Sequence, residues 1–129
     1  MENTKINLTD AEWNVMECLW EKSPRTGREI IDLLKERMNW SRSTTLTLLR
    51  RIEEKGAVGS ESAEGGKLFY PTVSRESAAL QEAEDFLERV YKGSLGMMLT
   101  AFTQKQNLSK AEIEELYAIL KAAEEKQHD

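Results

Sequence analysis

Cysteine and histidine each occur once, as Cys18 and His128, in a chain of 129 residues. A single cysteine excludes an intrachain disulfide framework and suits a reducing compartment. With one histidine close to the end, a Cys/His zinc cluster and a histidine-based triad are excluded as well. No metal site, no cofactor and no enzymatic activity is therefore expected, and Cys18 reads as a small core or near-core residue. Long apolar runs are also missing. None approaches the roughly 18 residues that a membrane span needs, and no signal peptide is expected. A cytoplasmic location with no membrane partner is expected. Internal repeats and low-complexity segments are absent. What remains is 40% apolar and 32% charged, the balance of a globular chain long enough for one domain or two small ones.

The net charge of −5 speaks against a nucleic-acid partner only on average. Residues 1–73 hold 11 Lys+Arg against 12 Asp+Glu, whereas residues 74–129 hold 7 against 11. Residues 37–52 contain Arg37, Arg42, Arg50 and Arg51 and no acid at all. Phosphate contact depends on such a local patch more than on the overall pI. A merely solvated basic face is the alternative, and the position of the arginines on their helix separates the two. The acidic groups Asp85 with Glu88, and Glu112 with Glu114 and Glu115, read as solvated helical faces.

Hydrophobic periodicity and capping signals divide the chain. Thr9 and Glu12 form a capping box, with Leu8 and Trp13 as its staple. Trp13, Met16 and Trp20 follow on one helix that ends before Pro24. Thr26 and Glu29 form a second capping box, and Ile30, Ile31 and Leu34 give a short helix to about Met38. Ser41 is a good N-cap for a third helix, from Arg42 to about Lys55, with Gly56 supplying the left-handed turn at its end. Residues 57–62 read as extended, Glu64-Gly65-Gly66-Lys67 as a tight turn, and Leu68-Phe69-Tyr70 as a strand before Pro71. From Ser74 onward the pattern is helical again. One stripe carries Leu80, Leu87, Val90 and Tyr91, a second Leu95, Met98, Leu99 and Phe102, and a third Leu116, Tyr117 and Leu120. The third opens with a capping box at Ser109 and Glu112.

Three short helices followed by a hairpin is the order of a winged helix-turn-helix, in which the third helix enters the major groove. At 100° per residue, Thr45, Leu48, Leu49 and Ile52 share the core side of that helix. Ser43, Thr47 and Arg50 lie opposite, flanked by Leu46, Thr44 and Arg51. Hydroxyls bond phosphates or base edges, and arginine forks onto guanine. The free amides around Ser41, Arg42 and Ser43 favour a phosphate. Leu46 fits either a thymine methyl or the edge of the core. Lys67 fits either a flanking phosphate or solvent, and Glu61 and Glu64 near the tip oppose a strongly binding wing. The fold class expected is mainly α with a small β-hairpin wing: a winged-helix DNA-binding domain over residues 1–73 and a three-helix dimerisation domain over residues 74–129. The latter is too small to build a stable core alone. Pairing of two copies through Leu80, Leu87, Tyr91, Leu95, Leu99, Phe102, Leu116 and Leu120 is expected to bury its stripes.

The run Leu8-Thr9-Asp10-Ala11-Glu12-Trp13-Asn14-Val15-Met16, closing on Leu19-Trp20, resembles the opening of the penicillinase-repressor family (BlaI/MecI/CopY). Trp40-Ser41, Thr44, Thr47, Leu49-Arg50-Arg51-Ile52, Lys55-Gly56-Ala57 and Phe69-Tyr70-Pro71 match it too, as do Phe86-Leu87, Tyr91-Lys92-Gly93-Ser94-Leu95 and Leu108-Ser109. The resemblance implies a homodimeric bacterial repressor that binds a palindromic operator on double-stranded DNA. In the β-lactam-responsive branch it further implies proteolytic relief, with a sensor-linked protease as partner. The matching position is the bond between Ala101 and Phe102, where Ala101 departs from the family's Asn. Phe102 also completes the apolar stripe of its helix, so this bond is expected to be buried. The copper-responsive branch uses a C-terminal cysteine cluster, and no cysteine follows Cys18. A winged-helix module that touches only protein is the alternative outside this family. The acid-free stretch with outward arginines separates it from a DNA reader.

Overall fold

The computed structural model describes residues 5–105 and 107–127; His128 lies outside the described residues. Three helices come first: α1 (Asp10–Glu21), α2 (Gly27–Met38) and α3 (Arg42–Glu54). The first two start on full capping boxes, in which Thr9 pairs with Glu12 and Thr26 with Glu29, each side chain bonding the other's backbone amide. Each box satisfies two helix-terminal amides that would otherwise lack partners. At the end of α2, Asn39 adopts φ 57°, ψ 36°, a left-handed conformation that Asn tolerates better than most residues. Ser41 then accepts the Thr44 amide and caps α3.

Strands β2 (Val58–Ala63) and β3 (Gly66–Pro71) form the expected wing, joined by a turn in which Gly65 has φ 93°. A third strand was not legible in the sequence. It is β1 (Arg25–Thr26), whose Arg25 pairs with Phe69 and Thr26 with Leu68, giving the antiparallel order β1-β3-β2. Two residues carry no period, so pattern reading cannot find such a strand. Within the wing the Tyr70 ring lies over Gly59, where an added Cβ would fall 2.6 Å from the phenol oxygen.

The core is shared by α1, α2, α3 and strands β2 and β3. Val15, Met16, Cys18 and Leu19 from α1 meet Ile30 and Leu34 from α2, Leu48, Leu49 and Ile52 from α3, and Val58 and Phe69 from the wing. The deep residues of α1 differ from the expected stripe, because Trp13 and Trp20 are only half-buried and flank the core. Cys18 is buried, and burial pushes its thiol above the ordinary range.

The chain groups into two compact units, Met1–Glu84 and Asp85–Asp129. Helix α4 (Arg75–Tyr91) runs across the division, and α5 (Leu95–Lys105) and α6 (Lys110–Gln127) follow. The division falls inside α4 rather than at residue 73. Ser109 and Glu112 form the expected capping box before α6. Between α4 and α5, Lys92 and Gly93 take positive φ, of 54° and 84°. None of α4, α5 and α6 contains a buried residue. No described helix is long and apolar enough to cross a membrane.

Candidate nucleic-acid interface

Helix α3 is fixed from behind and free in front. Thr45, Leu48, Leu49 and Ile52 are buried, as the helical wheel predicts. Ser41, Arg42, Ser43, Thr44, Arg50 and Arg51 are exposed, and Thr47 is half-buried. The cap is preorganised: Ser41 Oγ lies 3.1 Å from Ser43 Oγ and 3.0 Å from Thr44 Oγ1. Three hydroxyls thus cluster at the positive end of the α3 dipole. Arg42, Arg50 and Arg51 are in no ion pair with a described residue. Leu46 is half-buried and packs against the core.

Two basic groups are already engaged. Arg37, part of the acid-free stretch, reaches back to α1 and holds Glu21 through two hydrogen bonds of 2.8 and 3.0 Å. This pairing lowers the Glu21 carboxyl and raises the Arg37 guanidinium. Within the acid-free stretch, the arginines left free therefore lie on α3 itself. Lys67 on the wing is 4.0 Å from Glu53 and 6.0 Å from the Phe69 ring centroid. Glu53 also accepts from Ser60 at 2.9 Å, so one carboxylate ties the wing to the end of α3.

A cationic, hydroxyl-tipped third helix beside a three-stranded wing is an arrangement with known relatives. The family model described as penicillinase repressor matches residues 8–122. The chain belongs to the penicillinase repressor family. The methicillin resistance regulatory protein MecI of Staphylococcus aureus strain N315 is 31% identical over 120 residues, 93% of this chain and 98% of that protein. The penicillinase repressor of Bacillus licheniformis is 33% identical over 113 residues, 88% of each chain. Among solved structures, the DNA-binding domain of the repressor BlaI superposes with a TM-score of 0.52 at 27% identity, covering 57% of this chain and 90% of that one. The Bacillus licheniformis BlaI monomer in complex with the blaP half-operator gives 0.51 at 27% identity, covering 57% and 89%.

The second half of the chain shows a different surface. Leu80, Leu95, Phe102 and Leu120 are exposed, and Leu87, Tyr91, Leu99 and Leu116 are half-buried. Phe86 meets Tyr91 edge-on at 6.0 Å. Thr103, Leu108, Ile113, Leu116, Tyr117 and Leu120 line an apolar cavity of about 380 Å³. Contrary to the expectation from the stripe, Ala101 and Phe102 do not sit in a core. Phe102 is 55% exposed, because a single copy of three helices has no apolar layer to lay against it. Among the described residues, no group of His, Cys, Asp and Glu is arranged to hold a metal ion.

Sequence reading missed the polar contacts that brace the first three helices. Glu12 is 1% exposed and is bonded by the Lys55 ammonium, which also donates to the Asn7 carbonyl. Burial pushes the Glu12 carboxyl up, but bonds from Lys55 and the Thr9 amide outweigh it and hold it below the ordinary range. In the sequence Glu12 is visible only as a capping residue. Its second partner lies 43 positions away, beyond the reach of any local pattern.

Proposed function

We propose that the chain is a homodimeric, DNA-binding transcriptional repressor in the bacterial cytoplasm. In this reading α3 enters the major groove of one half-site of a palindromic operator. Ser41, Arg42, Ser43, Thr44, Leu46 and Thr47 meet one end of the half-site, and Arg50 and Arg51 reach bases or phosphates further on. The observation that carries it is the trio Arg42, Arg50 and Arg51, exposed and unpaired among the described residues, on a helix whose other face is buried. Unpaired arginines need no internal bond broken before they meet phosphate. The half-operator complex of BlaI supports the same use of this fold.

Residues 1–73 serve as the reading head and residues 74–129 as the dimerisation domain. Two copies cover the exposed apolar residues of α4, α5 and α6, since a monomer seldom leaves so large an apolar surface in water. Relief of repression follows from loss of pairing, and a cut between Ala101 and Phe102 by a sensor-linked protease is one route. Lys67 adds at most a weak flanking contact, because Glu53 stands beside it. No catalytic role is assigned to any residue.

Mobility shift of the full chain on duplexes enriched from a random pool, at two salt concentrations, tests the reading. Arg50→Ala and Arg51→Ala should each cost about 1–3 kcal/mol where a base contact is lost, relaxing specificity at one position. Loss of a phosphate contact should weaken all duplexes alike and reduce the salt slope by about one. Unchanged affinity in both variants would place the reading surface elsewhere.

A further inference from the structure

One face of α1, at the edge of the core, grips the chain where α4 begins. Trp13, Glu17 and Trp20 follow at i, i+4 and i+7, which aligns them on a helix. The two indoles touch edge-on at 5.0 Å and 67°. Trp20 Nε1 donates to the Val73 carbonyl at 2.9 Å. Arg75, the first residue of α4, forks onto Glu17 with Nε and Nη2 each at 3.0 Å. Its guanidinium lies 5.7 Å from the Trp13 ring centroid, and Trp13 Nε1 donates to the same carboxylate at 2.9 Å. Between these anchors, Ser74 Oγ accepts the Ser77 amide at 3.0 Å. Three α1 side chains therefore hold both sides of Ser74.

An exposed ion pair adds little stability, yet a bidentate fork stacked on an indole fixes direction. Direction matters because α4 continues for 17 residues, about 25 Å at 1.5 Å per residue. A tilt of roughly 10° at its base moves its far end by about 4 Å. One base-pair step is about 3.4 Å. An error of that size changes which half-site spacing two joined reading heads can meet.

Resting on the DNA-reading function proposed above, we infer that Trp13, Glu17 and Trp20 clasp residues 73–75 so as to fix the direction of α4, and with it the half-site spacing that the dimer accepts. Glu17 and Arg75 are positioning residues. The full-length chain is tested on the palindromic duplex that it enriches from a random pool, on that duplex with one base pair inserted or removed between its halves, and on a single half-site. The wild-type chain should bind the altered duplexes about tenfold more weakly. Arg75→Ala and Glu17→Gln should reduce that discrimination to below about threefold, with half-site affinity and sedimentation unchanged. The charge swap combining Glu17→Arg with Arg75→Glu should regain most of it. The inference is overturned if the single variants keep the wild-type spacing preference, or if half-site and full-site affinities fall in parallel. A wild-type chain that enriches no duplex removes the DNA-reading function itself, a distinct result.

Discussion

The two units of this chain use the same kind of pattern and reach opposite ends. Every buried hydrophobic residue among those described lies between Val15 and Phe69, in the first unit. The second unit carries apolar residues along its helices too, yet buries none of them. In the first unit α1, α2, α3 and the wing approach from several directions and close over one another. In the second, α5 and α6 leave Phe102, Tyr117, Ile119 and Leu120 exposed. A stripe states that a face seeks cover; it does not state whether the cover lies in the same chain. The first unit completes its own core, and the second leaves its apolar residues uncovered.

The largest test of that contrast is to cut the chain. Truncation after Ala101 removes α6 and part of α5. If pairing depends on those helices, sedimentation should show a monomer. Affinity for a palindromic duplex should then fall about 10²–10⁴-fold, the gain that linked binding modules ordinarily provide. A truncated chain that stays dimeric and binds as the full chain does would end the proposal that cleavage there relieves repression. The first unit should keep its cooperative unfolding in either case.

Point substitutions sharpen the same contrast at smaller cost. Leu49 is buried in the first unit, so Leu49→Ala should destabilise by about 2–5 kcal/mol. Denaturant curves should show this loss equally at any protein concentration. Leu120 is 54% exposed in the single chain. Leu120→Ala should leave dilute protein unaffected and weaken it only where the dimer forms, so its effect should grow with concentration. Equal, concentration-independent losses at both sites would mean that the second unit owns a core after all.

What could be read from the sequence follows the same division. The six helices, the wing and the buried face of α3 were legible, because each rests on a period or a cap within a few residues. Strand β1 was not, since Arg25 and Thr26 become a strand only through Phe69 and Leu68. The exposed arginines of α3 were legible from its wheel. That Arg37 is spent on Glu21 was not, because the bond crosses from α2 to α1. Exposure of Phe102 was misjudged for a related reason: periodicity identified an apolar position and supplied no partner for it.

Acid tests one bond that joins distant parts of the self-sufficient head. Glu12 has a lowered pKa in the folded chain, through Lys55 and Thr9 and against its burial. A lowered folded value means that the unfolded chain takes up a proton first. The stabilisation is thus present above the ordinary glutamate value of about 4.5, which the unfolded chain keeps, and is lost as pH falls through the folded value. Thermal melts of the wild type should fall over that acidic window, and Glu12→Gln should flatten this part of the decline. An unchanged pH profile in Glu12→Gln would assign the acid sensitivity to other carboxylates, of which Glu17 with its Arg75 partner is the first to examine.

The smallest effect has the opposite sign and lies in the core itself. Thr45 is fully buried on the inner side of α3, and its hydroxyl has no hydrogen-bond partner among the described residues. A buried hydroxyl without a partner costs about 1–3 kcal/mol. Valine has nearly the same shape and the same branching at Cβ, so it keeps the rotamer that a helix prefers. Thr45→Val should therefore stabilise the head by about 1 kcal/mol. The denaturation midpoint should rise with no change in slope, because the surface exposed on unfolding is the same. Since Thr45 faces away from the arginines, affinity for the enriched duplex should not move. Destabilisation instead would reveal a buried water bonded to the hydroxyl, and the inner face of α3 would then be held by a polar contact as well as by packing.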